Sequence, residues 1–134
     1  MRRLFEDEVA VVRAFVALLE GEQRLLVEGD VDGLPALLLD KNELTARLAS
    51  IAEQRRVALS AEGFSADRNG VADWFAAHPG EHHARAAWAE LLPLANQARE
   101  LNRLNGEVIQ LRLQSNAQAI EALVGSTGDR KSVG

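Results

Sequence analysis

Apolar residues recur at helical spacing through residues 4–28 and again through residues 33–62, and only the segment Gly29-Asp30-Val31-Asp32-Gly33 separates the two runs. Spacing of three and four residues over such lengths is typical of long amphipathic helices. Because this connection is short, the second helix must pack antiparallel to the first. The sequence therefore predicts an antiparallel hairpin of two long helices.

The break between the two runs contains residues that end one helix and begin the next. Gly29 is suited to a C-terminal cap, Asp30 or Asp32 to an N-terminal cap, and Pro35 to a first helical turn. We therefore expect an aspartate side chain to cap the second helix.

The first helix has a broad apolar face, which predicts contact with more than one neighbour. Its two adjacent stripes are Phe5, Val9, Val12, Val16, Leu19 and Leu26, and Leu4, Val11, Phe15, Leu18 and Leu25. The apolar seam of the second helix is Leu34, Leu37, Leu44, Leu48, Ile51 and Ala58. Lys41 and Arg55 also fall on this seam, and we expect their stems to lie along the core while their charges reach water.

A third long helix is predicted from about residue 81 to residue 124, after a glycine-rich connection, 63–80, that holds a short helix near residues 71–77. Pro93 lies inside the third helix and predicts a kink or break near residues 90–92. The fold class is therefore all-α, with a single domain over residues 1–124 and a flexible tail over residues 125–134.

The composition excludes several classes of function. Hydrophobic residues make up 47% of the chain and aromatic residues only 4%, which favours helices over sheets. The absence of cysteine excludes disulfides, thiol catalysis and thiolate metal sites. A net charge of −5 is a poor basis for binding nucleic acid. No apolar run is long enough to predict a membrane span.

The candidate chemical groups do not converge on a catalytic or metal site. His78 and His82 have the helical spacing of metal ligands, but Pro79 and Gly80 lie between them, and His83 adds no distant partner. We expect no metal, no cofactor and no catalytic residue. The aromatic residues Trp74, Phe75 and Trp88 are predicted to anchor the short helix against the bundle, with stacking on a ligand as the alternative.

The segment 101–124 is unusual because a helix through it has two apolar sides and a narrow polar strip between them. The strip is Glu107, Gln110, Gln114, Gln118 and Glu121; one side is Leu101, Leu104, Val108, Leu111, Ala119 and Ala122; the other is Ile109, Leu113, Ile120 and Leu123. Two interpretations stay open: a core helix covered on both sides by its own chain, or a helix with one side left for a partner.

Asn102, Asn105 and Gly106 are poor formers of a helix interior, and glycine costs about 1 kcal/mol relative to alanine there. We expect this loss to be offset by close approach of another helix at Gly106 or by polar contacts of the asparagines. A recognition feature is the functional alternative.

Two segments resemble the FlgN family of flagellar export chaperones. The closing helix of that family is similar to Leu101-Asn102-x-x-Asn105-Gly106-x-Val108-Ile109-x-x-Arg112, and its second helix to Asp32-x-Leu34, Lys41-x-x-Leu44-x-x-x-Leu48 and Arg55 or Arg56. The resemblance covers roughly residues 5–124.

The resemblance implies a small cytoplasmic protein without enzymatic activity, which holds hook–filament junction proteins and delivers them to the flagellar type III export apparatus. The substrate contact of the family lies in its C-terminal region. We therefore expect partner binding here by Asn105, Gly106, Val108, Ile109, Leu111, Leu113, Asn116, Ile120 and Leu123, with the side formed by Ile109, Leu113, Ile120 and Leu123 as the principal contact. The competing hypothesis is a self-associating helical module that closes a homodimer through the same face and has no secreted client.

Overall fold

The structure is a computed structural model that describes the backbone of residues 1–133 and the side chains of residues 1–115 and 117–123. It contains four α-helices: α1 (Arg2–Glu28), α2 (Leu34–Ala61), α3 (Arg68–Ala77) and α4 (His82–Val133). The described residues form no strand. The predicted all-α fold, with an antiparallel hairpin, a short helix and a third long helix, is confirmed.

Helix α1 is the element on which both α2 and α4 pack. Its first predicted stripe, from Phe5 to Leu26, is buried throughout, and Val11 of the second stripe is buried beside it. The buried core continues onto Leu59 of α2 and Leu91 of α4. The broad apolar face of α1 therefore has the two neighbours that the sequence predicts.

The turn between α1 and α2 is built from backbone hydrogen bonds. Gly29 ends α1 in the left-handed conformation, with φ of 73°, and Asp30 N donates to Leu25 O at 2.9 Å. The N-cap of α2 is Gly33, without a side-chain cap hydrogen bond, so the expected capping by Asp30 or Asp32 is wrong. The physical reason is that Leu34 N already donates to Val31 O within the turn.

Helix α3 begins before the predicted residue 71 because Asp67 caps it. Asp67 Oδ1 accepts hydrogen bonds from Ser65 Oγ at 2.7 Å and from Gly70 N at 2.8 Å. These two hydrogen bonds hold the pKa of Asp67 below its usual value, and the bond from the Ser65 hydroxyl has the larger effect. Residue 70 must be glycine here, since a Cβ atom would lie 1.7 Å from Ser65 O.

The aromatic residues anchor α3 to the bundle, as predicted. The ring of Phe5, on α1, lies 6.2 Å from that of Trp74, 5.5 Å from that of Phe75 and 5.4 Å from that of Trp88, measured between centroids. Trp74 and Phe75 are both buried. One aromatic cluster therefore ties α1, α3 and α4 together.

Helix α4 passes through Pro93 without a break. An interior proline costs about 3 kcal/mol, but Leu91 before it and Ala98 after it are both buried in the core, and this packing holds the helix on both sides. The backbone stays helical to Val133, past the predicted end near Val124. The flexibility expected for residues 125–134 stays a prediction, since their side chains and Gly134 lie outside the described residues.

Candidate partner-binding site

Helix α4 extends past the end of the hairpin. Helix α1 ends at Glu28, and Arg112 of α4 reaches its last turn, where a guanidinium N–H donates to Val27 O at 3.2 Å. After this contact, every described side chain from Leu113 to Leu123 is exposed. We refer to residues 113–123 as the overhang.

Large apolar side chains remain exposed on and beside the overhang. Leu111, Leu113, Ile120 and Leu123 each have more than half of their surface accessible, and Ile109 more than a third. Val108 is half-buried. Exposed apolar residues grouped in this way are typical of interaction surfaces. The hairpin therefore covers α4 only as far as about Val108.

A groove of about 500 Å³ lies between the start of the overhang and the α1–α2 turn. The hairpin side is formed by Leu26, Val31, Leu34, Pro35 and Leu38, the α4 side by Ile109 and Leu113, and the polar residues Glu22 and Arg112 complete it. We refer to it as the turn groove. The α4 side of this groove is predicted by the sequence, whereas its hairpin side becomes apparent only in the fold.

Asn105 is 1% exposed and joins α4 to α1 from the inside. Its Nδ2 donates to Leu19 O and to Glu22 Oε1, each at 2.9 Å. Lys41 Nζ of α2 lies 3.2 Å from both oxygens of the same Glu22 carboxylate. Lys41 Nζ therefore pairs with a buried carboxylate, while 20% of the Lys41 side chain stays accessible to water.

These contacts change the interpretation of the asparagine–glycine motif. The buried Asn105 side chain holds α4 on α1 and is not exposed to a partner in this structure. Gly106 is exposed, and a Cβ atom there would meet nothing within 4 Å, so no helix approaches it closely. Polar contact by Asn105, the other expectation for this motif, is what the structure contains. The side chain of Asn116 lies outside the described residues.

A second polar contact joins the helices nearer the aromatic cluster. Glu8 of α1 is buried and pairs with Arg55 of α2, whose guanidinium carbon lies 5.4 Å from the centre of the Trp88 ring of α4. Arg55 therefore also pairs with a carboxylate of α1, and 17% of its side chain stays accessible to water. The burial of Glu8 and Glu22 was not predicted from the sequence.

His78 contributes to packing at the far end of the bundle, whereas His82 and His83 are exposed. His78 stacks on Trp74 with ring centres 4.4 Å apart, and its Nδ1 lies 2.8 Å from Trp74 O. Glu62 accepts a hydrogen bond from Trp74 Nε1 at 2.9 Å and lies beside His78 Nε2. Among the described residues, no group of three or more acidic or histidine side chains is placed to hold a metal ion.

The structure is that of a helical protein with an exposed apolar groove beside its longest helix. The family model described as FlgN protein matches residues 1–132, and the chain belongs to this family. Membership implies a flagellar export chaperone in general, and the family is not known for enzymatic activity. No curated protein and no solved structure matches the chain. No helix in the described part of the chain is long and apolar enough to cross a membrane.

Replacing Asn105 with alanine is expected to lower the free energy of unfolding by about 1–3 kcal/mol, because Leu19 O and the buried Glu22 carboxylate lose a donor. Urea denaturation measures the change. Asn102→Ala, at an exposed position of the same helix, is the control and should be close to neutral. Equal effects of the two substitutions would contradict the role given to Asn105.

Proposed function

We propose that this chaperone binds hook–filament junction proteins in the cytoplasm through the apolar side chains of the overhang and delivers them to the flagellar export apparatus. The observation that carries the proposal is the exposure of Ile109, Leu113 and Ile120 on α4, which extends past the end of the α1–α2 hairpin. Family membership supports the general role of export chaperone.

The mechanism is reversible burial. A terminal amphipathic helix of the client covers the exposed side of α4, so its own apolar face cannot pair prematurely. Each well-covered aliphatic anchor contributes about 1.5–3 kcal/mol before the costs of ordering and association. Three or four anchors are consistent with dissociation constants of about micromolar or lower, which still permit release to the export apparatus.

The test is a double substitution on the overhang, Leu113→Asp with Ile120→Asp. Calorimetric titration with a purified junction protein should show a loss of affinity of about 100-fold, since two apolar anchors would be replaced by charges that resist burial. The matched control is Leu39→Asp with Val57→Asp, two exposed apolar residues of α2 outside the turn groove. Far-UV circular dichroism of both variants should match the parent, and undiminished binding by the overhang variant would refute the assigned surface.

The same exposed surface is also suitable for closing a homodimer, which is the alternative function. Light scattering separates the two. A chaperone should be a monomer, or a loose dimer that dissociates when client is added. A stable dimer that junction proteins do not disturb would instead favour a structural module.

A further inference from the structure

The hairpin side of the turn groove exposes large apolar side chains that have no role in the core. Val31 lies in the turn with 65% of its surface accessible, and Leu38 lies on α2 with 53% accessible. Both face the same groove as Leu113 of the overhang. A ligand in this groove would therefore bury apolar surface of the hairpin and of α4 together.

The negative charge of the chain is concentrated in the two segments that contribute residues to this groove. Segments 20–43 and 107–123 carry nine acidic and three basic residues, a net charge of −6, whereas the whole chain carries −5. Within the described residues, two of these nine acids form ion pairs: Glu22 with Lys41 and Glu107 with Arg103. Glu28, Asp30 and Asp32, which are all exposed, flank Val31 in the sequence.

Three basic residues, Arg24, Lys41 and Arg112, stand against these nine acids. Arg112 donates to Val27 O, where its positive charge compensates the negative end of the α1 dipole. Lys41 pairs with Glu22. The surroundings of the groove therefore attract positive charge.

We propose that the turn groove forms the second half of the client site, and that it takes an amphipathic helix whose apolar ridge is flanked by lysine or arginine. This inference rests on the proposed function and extends it to Val31, Leu34 and Leu38. The apolar ridge of the client lies between Leu38 and Leu113, and its basic residues face Glu28, Asp30 and Asp32. Complementary charge of this kind mainly sets specificity and the rate of association.

The charge requirement is tested with two synthetic peptides of about 18 residues, a length adequate for a helix once bound. Both carry the same leucine ridge, flanked in one peptide by lysine and in the other by glutamate. The lysine peptide should bind the full chain at least about tenfold more tightly at low salt, and the difference should shrink as salt is raised. Equal affinity, or preference for the glutamate peptide, would overturn the inference.

The hairpin side is tested with two neighbouring residues of α2. Leu38, which lines the groove, and Leu39, which does not, are both leucines with more than half of their surface exposed. Leu38→Asp should weaken binding of the lysine peptide and of a junction protein about tenfold, whereas Leu39→Asp should leave both unchanged. Equal effects of the two substitutions would overturn the inference.

The outcomes separate this inference from the proposed function. If Leu113→Asp with Ile120→Asp abolishes client binding and Leu38→Asp has no effect, the proposed function stands and the hairpin half of the site is wrong. If neither variant affects binding, both proposals fail. If Leu38→Asp instead converts a stable dimer to a monomer in light scattering, the groove is occupied by a second copy of the chain and the inference is overturned.

Discussion

Replacing Glu8 with alanine is expected to lower the free energy of unfolding by about 3–5 kcal/mol. Glu8 is buried, and its carboxylate is the partner of the Arg55 guanidinium; the Arg55 side chain is only 17% exposed. Removing the carboxylate leaves a positive charge between α1 and α2 with the Trp88 ring as its remaining favourable contact. Urea denaturation followed by circular dichroism measures the loss.

The double variant Glu8→Leu with Arg55→Leu is the informative control. Since it removes both charges and leaves apolar volume, it should recover most of the stability that Glu8→Ala loses. A double-mutant cycle between the two positions then gives the coupling energy of the pair. A near-neutral effect of Glu8→Ala would show that the Arg55 charge is solvated well enough without its partner and would contradict the stabilising role given to the pair.

Replacing Phe5 with alanine is expected to cost about 3–5 kcal/mol, because its fully buried ring leaves a cavity among three other aromatic rings. Two of these rings, Trp74 and Phe75, belong to α3, so this helix should also loosen from the bundle. Urea denaturation followed by tryptophan fluorescence measures both changes, since Trp74 and Trp88 border the cavity.

Phe5→Leu is the conservative comparison and should be less destabilising, since it keeps most of the apolar volume. Helix α3 should then remain attached. A similar fluorescence spectrum for the alanine variant and the parent would contradict the proposed anchoring of α3 through Phe5.

The long helices could be predicted because their periodicity extends over many turns and needs no knowledge of tertiary contacts. Features that depend on a few tertiary contacts were harder to predict from the sequence. The start of α2 is set by backbone hydrogen bonds in the turn, and the presence of Asp30 and Asp32 before the helix does not reveal these bonds. The passage of α4 through Pro93 depends on apolar packing to either side, which outweighs the local preference of proline.

The buried polar pairs do have a signal in the sequence, which is the spacing of their charged residues. Glu8 and Glu22 are separated by the same number of residues as Lys41 and Arg55. In an antiparallel hairpin, this equal spacing places the first acid against the last base and the second acid against the first base. The structure contains these two pairs. The pattern fixes the hairpin register as well as the apolar seam.

The candidate site could be predicted only in part. The exposed side of α4 follows from its two apolar stripes and the short supply of helices to cover them. Val31 and Leu38 were missed because neither lies on the α2 seam, and only the three-dimensional fold brings them beside Ile109 and Leu113. The buried position of Asn105 likewise depends on where α1 presents Leu19 O and Glu22.

The contacts of Asn105 and Arg112 with α1 act together with the apolar packing of α4 to fix the rotation of this helix about its own axis. Successive residues of an α-helix point about 100° apart. A slip of α4 along α1 by a single residue would therefore turn Gln110 and Gln114 toward the groove in place of Ile109 and Leu113. The register of α4 on α1, to which the Asn105 amide and the Arg112 guanidinium contribute, therefore determines whether the side of α4 that borders the groove is apolar or polar.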